Sequence, residues 1–122
     1  MTEPMRDALK LQTDAAGAGF DWNDIAGVWD KLHEEIAELR SAPDQPGRVE
    51  ELGDLLFMLV NLSRHLGVDP IGALHQANAK FARRFAYIMQ HADELPPLGD
   101  PRRLDCMETL WQRAKSLERG NK

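Results

Sequence analysis

Apolar residues recur along this chain every three or four positions, and no stretch alternates apolar and polar residues as a half-buried strand would. Breakers at Gly17/Gly19, Pro43–Gly47, Gly67–Pro70 and Pro96–Pro101 cut this pattern into five segments. The spacing predicts a first helix from about Pro4 to Ala16, with Thr2 placed to cap it and the glycines beyond it suited to end it. A second is expected from roughly Asn23 to Arg40, where Ile25, Val28, Trp29, Leu32, Ile36 and Leu39 make a one-sided stripe. The third, roughly Arg48 to Leu66, is apolar over most of its surface from Leu52 to Leu62 and is therefore expected to be central and most buried. Asp69-Pro70 and Asp100-Pro101 each place a capping acid before a proline, which suits the first turn of a helix. The fourth helix would turn Leu74, Ala77, Phe81, Phe85 and Ile88 inward, and the fifth Leu104, Met107, Trp111 and Ala114. Asp93–Gly99 reads as a loop. Short connections imply antiparallel neighbours, so the expected fold is an all-α antiparallel bundle of about five helices.

At 122 residues the chain has the length of one domain, residues 1–122, and a free monomer of that size would be marginal; a homodimer or higher homo-oligomer is expected. The net charge of −5, with no basic block, argues against a nucleic-acid partner, since that role needs a phosphate-neutralising surface. It leaves small nucleotides open, because a bound metal reverses the local sign. The start, MTEPMRDALK, has no apolar signal core, and the longest apolar run, Leu55–Val60, is too short to span a bilayer. No membrane partner is expected, and the location reads as cytoplasmic. The single cysteine, Cys106, permits no intrachain disulfide and is assigned no role.

Two acidic clusters change the picture. The second helix carries Glu34-Glu35-Ile36-Ala37-Glu38, and the third Glu50-Glu51-Leu52-Gly53-Asp54. Residues three apart on a helix are surface neighbours, so Glu35 pairs with Glu38, and Glu51 with Asp54. At about 100° per residue, Glu35 falls roughly 20° beyond the edge of the second helix's apolar arc and Glu38 roughly 80° beyond it, while Glu34 points away. Glu51 and Asp54 likewise flank the apolar face of the third helix, with Glu50 further out. If those helices are antiparallel neighbours, four carboxylates converge, and they stay ionised only if cations neutralise them. An all-oxygen set without His or Cys suits Mg²⁺, or Mn²⁺ in its place, over zinc. Glutamate pairs on helices are also common as plain solvated faces.

Beyond these acids, the runs Gly19-Phe20-Asp21-Trp22, Lys31 to Leu39, Glu50 to Phe57, Val60 to Gly67, Ala77 to Phe85 and Leu110 to Lys115 together resemble the MazG nucleotide pyrophosphohydrolases. The family's EExxE, spacer, ExxD pattern is met by Glu34–Glu38 and Glu51–Asp54, and the resemblance covers nearly the whole chain, as a single MazG-like domain. It implies an all-α fold and Mg²⁺-dependent cleavage of a nucleoside triphosphate between the α and β phosphates, giving a monophosphate and pyrophosphate. It implies that Glu35, Glu38, Glu51 and Asp54 are the metal-binding and catalytic acids. It also implies substrate contacts from Lys80, Arg84, Trp111 and Lys115.

The residues themselves fit that reading without requiring it. Lys80 and Arg84, four apart, could face a polyphosphate, or be solvated charges over the Phe81/Phe85 stripe. Trp111 could stack on a base or ribose, or belong to the core. Asn61, beyond Asp54 on the third helix, could meet the same groove or make a structural hydrogen bond. A di-iron bundle is disfavoured because its usual Glu-x-x-His pairs are missing. A non-catalytic helical module that binds nucleotides or a protein partner is the remaining alternative. Base and sugar preference, and a role in sanitising the nucleotide pool, are not set by any pattern of residues.

Overall fold

The structure, a computed structural model, describes residues 3–120. It is all-α: α1 (Pro4–Gly17), α2 (Ile25–Ser41), α3 (Gln45–Leu66), α4 (Pro70–Gln90) and α5 (Arg103–Gly120), with one 3₁₀ turn at Ala92–Glu94 inside the expected loop region. Among the described residues there is no strand, and no helix is long and apolar enough to cross a membrane.

Local chemistry sets the boundaries: α1 starts at Pro4 as expected, α2 and α3 start elsewhere than expected, and α5 starts at Arg103, two residues beyond the expected first-turn Pro101. The cap of α1 is Glu3, whose carboxylate accepts from the Met5 and Arg6 N–H groups; Thr2, the residue expected there, lies outside the described residues. Asp24 accepts from Gly27 N–H and so starts α2 two residues later than the periodicity suggests. Asp44 does the same with Gly47 N–H at 2.8 Å, so α3 begins at Gln45, inside the stretch read as a breaker. Pro46 is no obstacle there, because a first-turn residue has no helical partner for its N–H anyway. Gly67 ends α3 with φ +70°, a conformation that favours glycine, and the N–H groups of Gly67 and Val68 return to the Arg64 and Ser63 carbonyls.

The chain forms two compact units, 1–73 and 74–122. In the first, α2 and α3 are joined by three residues and pack as an antiparallel hairpin, and α1 lies against α3. Val28 and Leu32 of α2 meet Met58 of α3, with Trp22, Leu55 and Leu62 around them. The third helix is central in this unit, but it is not the thoroughly buried helix expected. Only Met58, Val60 and Asn61 are buried, while Leu52, Leu56 and Leu59 remain more than 40% exposed. Two neighbours cover only part of a helix's circumference, and the apolar surface of α3 extends further round than that. In α2 the buried stripe is Val28, Leu32 and Glu35, and Trp29 and Ile36 lie outside it.

The second unit holds most of α4, together with α5. Ile88, Leu110 and Ala114 are its buried apolar residues. Leu74, Phe81, Phe85 and Leu104, expected to face inward, are exposed. Phe81 still stacks on Phe85 at 5.9 Å and meets the Trp111 ring at 5.7 Å, so these aromatics form a surface cluster instead of a core.

Candidate metal centre and substrate groups

The hairpin of α2 and α3 brings three of the four expected acids together. Carboxylate oxygens of Glu35, Glu38 and Glu51 all lie within 4.8 Å of one another. Asp54 does not join that group, although its charge reaches Glu51. The three residues differ in burial: Glu35 is 5% exposed, Glu51 is half-buried and Glu38 is exposed. Glu35 thus sits on the buried stripe of α2, closer to the core than an edge position. Val28, Leu32 and Glu35 follow each other at four and three residues, so burying the first two carries the third in with them.

These carboxylates lack enough donors. Glu35 Oε2 and Glu51 Oε2 are buried without a hydrogen-bond partner. The cation at hand is Lys31, whose ammonium lies 3.3 Å from Glu35 and 3.4 Å from Glu34. Its pairing with Glu35 and then Glu34 raises the Lys31 pKa. Glu51 is pushed up, first by desolvation, then by contact with the Glu38 carboxyl and by the charges of Glu38, Glu35 and Asp54. Buried oxygens without donors, repelling one another in a small volume, fit a hard divalent cation such as Mg²⁺. No histidine or cysteine belongs to the group, so the nitrogen and sulfur donors usual in zinc and di-iron sites are missing from it. Lys31 was missed as a partner of Glu35, although the i, i+4 spacing signals it.

In the second unit Arg84 is already engaged. Its Nε donates to both Glu118 carboxylate oxygens, at 3.2 and 3.1 Å, and its guanidinium lies 5.2 Å from the centre of the Trp111 ring. Arg83 shares the same carboxylate at 3.0 Å. Desolvation raises the Glu118 pKa, yet Arg84 and Arg83 together hold it below the ordinary glutamate value. Lys80 is exposed and Lys115 half-buried. The structure therefore brings Arg84 and Trp111 together and adds Glu118, a residue 34 positions from Arg84 that no local spacing points to.

Asn61 is buried in a polar network of the first unit. Arg64 donates to Asn61 Oδ1 at 2.8 Å, to Gln12 Oε1 at 3.1 Å and to both Asp21 oxygens. Gln12 also donates to the Phe57 carbonyl, which ties α1 to α3. The hydrogen bond from Arg64, aided by His65 and the Trp22 N–H, holds Asp21 well below the usual carboxylate range against desolvation.

No protein-family model matches the chain. Curated relatives do. The chain is 40% identical to the nucleoside triphosphate pyrophosphohydrolase/pyrophosphatase MazG of Thermotoga maritima over 108 residues, 88% of this chain and 42% of that protein. It is 42% identical to the nucleoside triphosphate pyrophosphohydrolase of Escherichia coli over 118 residues, 91% of this chain and 44% of that protein. It is also 42% identical, over 64% of its length, to the uncharacterized protein YabN of Bacillus subtilis, of which it spans 16%. The chain thus spans less than half the length of these relatives. With the likeness to the two pyrophosphohydrolases running through both acidic helices, the chain belongs to the MazG family.

Proposed function

We propose that this chain hydrolyses nucleoside or deoxynucleoside triphosphates between the α and β phosphates, releasing a monophosphate and pyrophosphate. The observation that carries this reading is the meeting of Glu35, Glu38 and Glu51, with two buried oxygens that no hydrogen bond satisfies. The names of the relatives support the same activity. Glu35, Glu38 and Glu51 would hold Mg²⁺, with Mn²⁺ as a substitute, and Asp54, one turn from Glu51, would complete the set. When bound, the ion supplies charge neutralisation for the phosphates and lowers the pKa of a water.

The chain's own residues do the rest in this proposal. Lys31 pairs with Glu35 and orients its carboxylate. A carboxylate of the cluster takes the proton of the attacking water. Lys80, Arg84 and Lys115 bind phosphate oxygens, with Trp111 against the sugar or base and Asn61 as a further polar contact. All of residues 1–122 act as one catalytic domain. Its place is the cytoplasm, where it would remove unwanted triphosphates from the nucleotide pool. The exposed Leu52, Leu56 and Leu59, spaced four and three along α3, favour a homodimer or higher homo-oligomer in which this stripe is covered.

The test is to incubate the pure protein with several triphosphates and Mg²⁺ and to separate the products. Monophosphate with pyrophosphate is expected, and chelation should abolish it. Inorganic phosphate with a diphosphate would overturn the α–β cleavage. Bound but intact triphosphate would favour a non-catalytic nucleotide-binding module.

A further inference from the structure

A glutamate stands on the face of α5 that is proposed to bind phosphate. Trp111, Lys115 and Glu118 follow at four and three residues and so share one side of that helix. The Glu118 side chain is only 28% exposed and pairs with Arg84 of α4. A carboxylate on a surface that must receive a polyphosphate repels it, and it cancels the charge of the cation beside it.

What Glu118 fixes is the direction of Arg84. Both of its oxygens accept from Arg84 Nε, at 3.2 and 3.1 Å. A guanidinium carries five N–H groups in a planar fork. With Nε taken and the group seated over the Trp111 ring, the two terminal nitrogens are left over. Among the described residues, neither of them donates a hydrogen bond to the protein. That pair is an edge of the fork able to grip a phosphate through two parallel hydrogen bonds.

Arg83 is used the other way. Its Nε and Nη2 both reach Glu118 Oε1, at 3.0 Å each. One edge of its fork is therefore spent on the carboxylate, although the side chain is 59% exposed. Adjacent helical residues point about 100° apart, so Arg83 approaches Glu118 from a different side than Arg84 does. Desolvation raises the Glu118 pKa, but hydrogen bonds from Arg84 and then Arg83 hold it below the ordinary glutamate value, so the acid is charged near neutrality. Two cations on one charged carboxylate leave the group positive. Either arginine alone would leave it neutral.

We propose that Arg83 neutralises Glu118, so that Glu118 orients Arg84 toward a phosphate without cancelling the charge that Arg84 offers. Arg83 is thus a positioning residue that acts through Glu118 and does not touch the substrate. The inference rests on the pyrophosphohydrolase reading for the phosphate at Arg84.

Calorimetric titration of the whole protein with inorganic pyrophosphate in the presence of Mg²⁺ tests this on the wild type, Arg83→Met, Glu118→Gln and the double variant. Arg83→Met leaves Glu118 to cancel Arg84. It should weaken pyrophosphate binding roughly three- to tenfold, the effect of one unit charge across several ångströms of partly solvated protein. Adding Glu118→Gln to Arg83→Met should return the affinity to within about twofold of the wild type, because the group regains its net charge. Arg83→Lys should keep most of the affinity. The Arg83→Met defect should shrink at high salt, and in hydrolysis it should appear in KM with kcat unchanged. Melting curves check that each variant is folded. A double variant as weak as Arg83→Met would mean that Arg83 serves the phosphate directly or serves the fold, and overturns the inference. Wild-type affinity in Arg83→Met, or no pyrophosphate binding by any of these proteins, overturns it too. Affinities in the expected order without hydrolysis of any triphosphate overturn the hydrolase and uphold the inference. Hydrolysis with affinities indifferent to Arg83 overturns the inference alone.

Discussion

Lys31 stands one helical turn before Glu35 on α2, with its ammonium 3.3 Å from a carboxylate that is almost entirely buried. The pair gives Glu35 a counter-charge, yet Glu35 Oε2 still has no partner. A buried carboxylate that loses its cation is costly. Lys31→Met should therefore lower the melting temperature of the protein in chelator by a few degrees. Saturating Mg²⁺ should restore most of that loss, because the ion supplies the missing charge. Melting curves of both proteins with chelator and with Mg²⁺ check this; an equal loss in both conditions would mean that Lys31 serves the fold alone.

Glu51 gives a pH dependence whose sign follows from its raised pKa. The folded state binds this proton more tightly than the unfolded state does, so the contribution to stability is complete below the ordinary glutamate pKa and is lost as pH rises through the raised value. Glu51→Gln resembles the protonated form at every pH. In chelator it should match the wild type in acid and be the more stable protein near neutrality. With saturating Mg²⁺ the order at neutral pH should reverse, since the variant has lost a charged ligand. Denaturation at a series of pH values, with and without the ion, reads both effects.

The helices and the acidic pair were legible in the sequence because each depends on neighbours in the chain. Val28, Leu32 and Leu39 announce α2 by spacing, and Glu35 with Glu38 needs only one turn of helix to become a pair. What spacing could not supply was the extent of burial. Leu52, Leu56, Phe81 and Phe85 are apolar at helical intervals, yet they are exposed, since periodicity marks a face and says nothing of what covers it. Contacts between distant residues were invisible for the same reason: Arg84 with Glu118, and Arg64 with both Gln12 and Asp21, join positions 34 to 52 residues apart. The periodicity places the start of α3 too late because Pro46 reads as a breaker, whereas Asp44 makes it a first-turn proline.

Arg84 is held by Glu118 and lies over Trp111, so its guanidinium is positioned before any phosphate arrives. Lys80 is exposed and, among the described residues, has no such support. Each alanine substitution should remove one charge-assisted contact, worth ~1.5–3 kcal/mol, or roughly a ten- to hundredfold loss in kcat/KM. Glu118→Gln should cost less than Arg84→Ala, because it loosens the guanidinium without removing it. Steady-state kinetics on the three variants measures the order, and unchanged efficiency in Lys80→Ala and Arg84→Ala would mark both as solvated charges.

The sharpest contrast lies between Glu34 and Glu35, which differ only in the direction their side chains take from the helix. Adjacent residues point about 100° apart. That rotation leaves the Glu34 side chain 59% exposed and paired with Lys31 at 3.4 Å, while it turns Glu35 inward beside Glu38 and Glu51. Replacing Glu35 with glutamine keeps the shape of the side chain but removes a charge from the group proposed to hold the metal. Hydrolysis should fall at least about a hundredfold, given the several kcal/mol a positioned metal ion supplies. Glu34→Gln should keep most of the activity, because its exposed ion pair contributes little. The same contrast is expected between Glu51 and the exposed Glu50. The four variants should be compared for Mg²⁺ dependence as well as rate, after circular dichroism has established that each is folded. A real ligand, once weakened, should raise the Mg²⁺ concentration needed for half-maximal rate; a merely structural glutamate should lower the rate without moving it. Equal loss at Glu34 and Glu35, with no change in the Mg²⁺ requirement of either, would remove Glu35 from the metal centre.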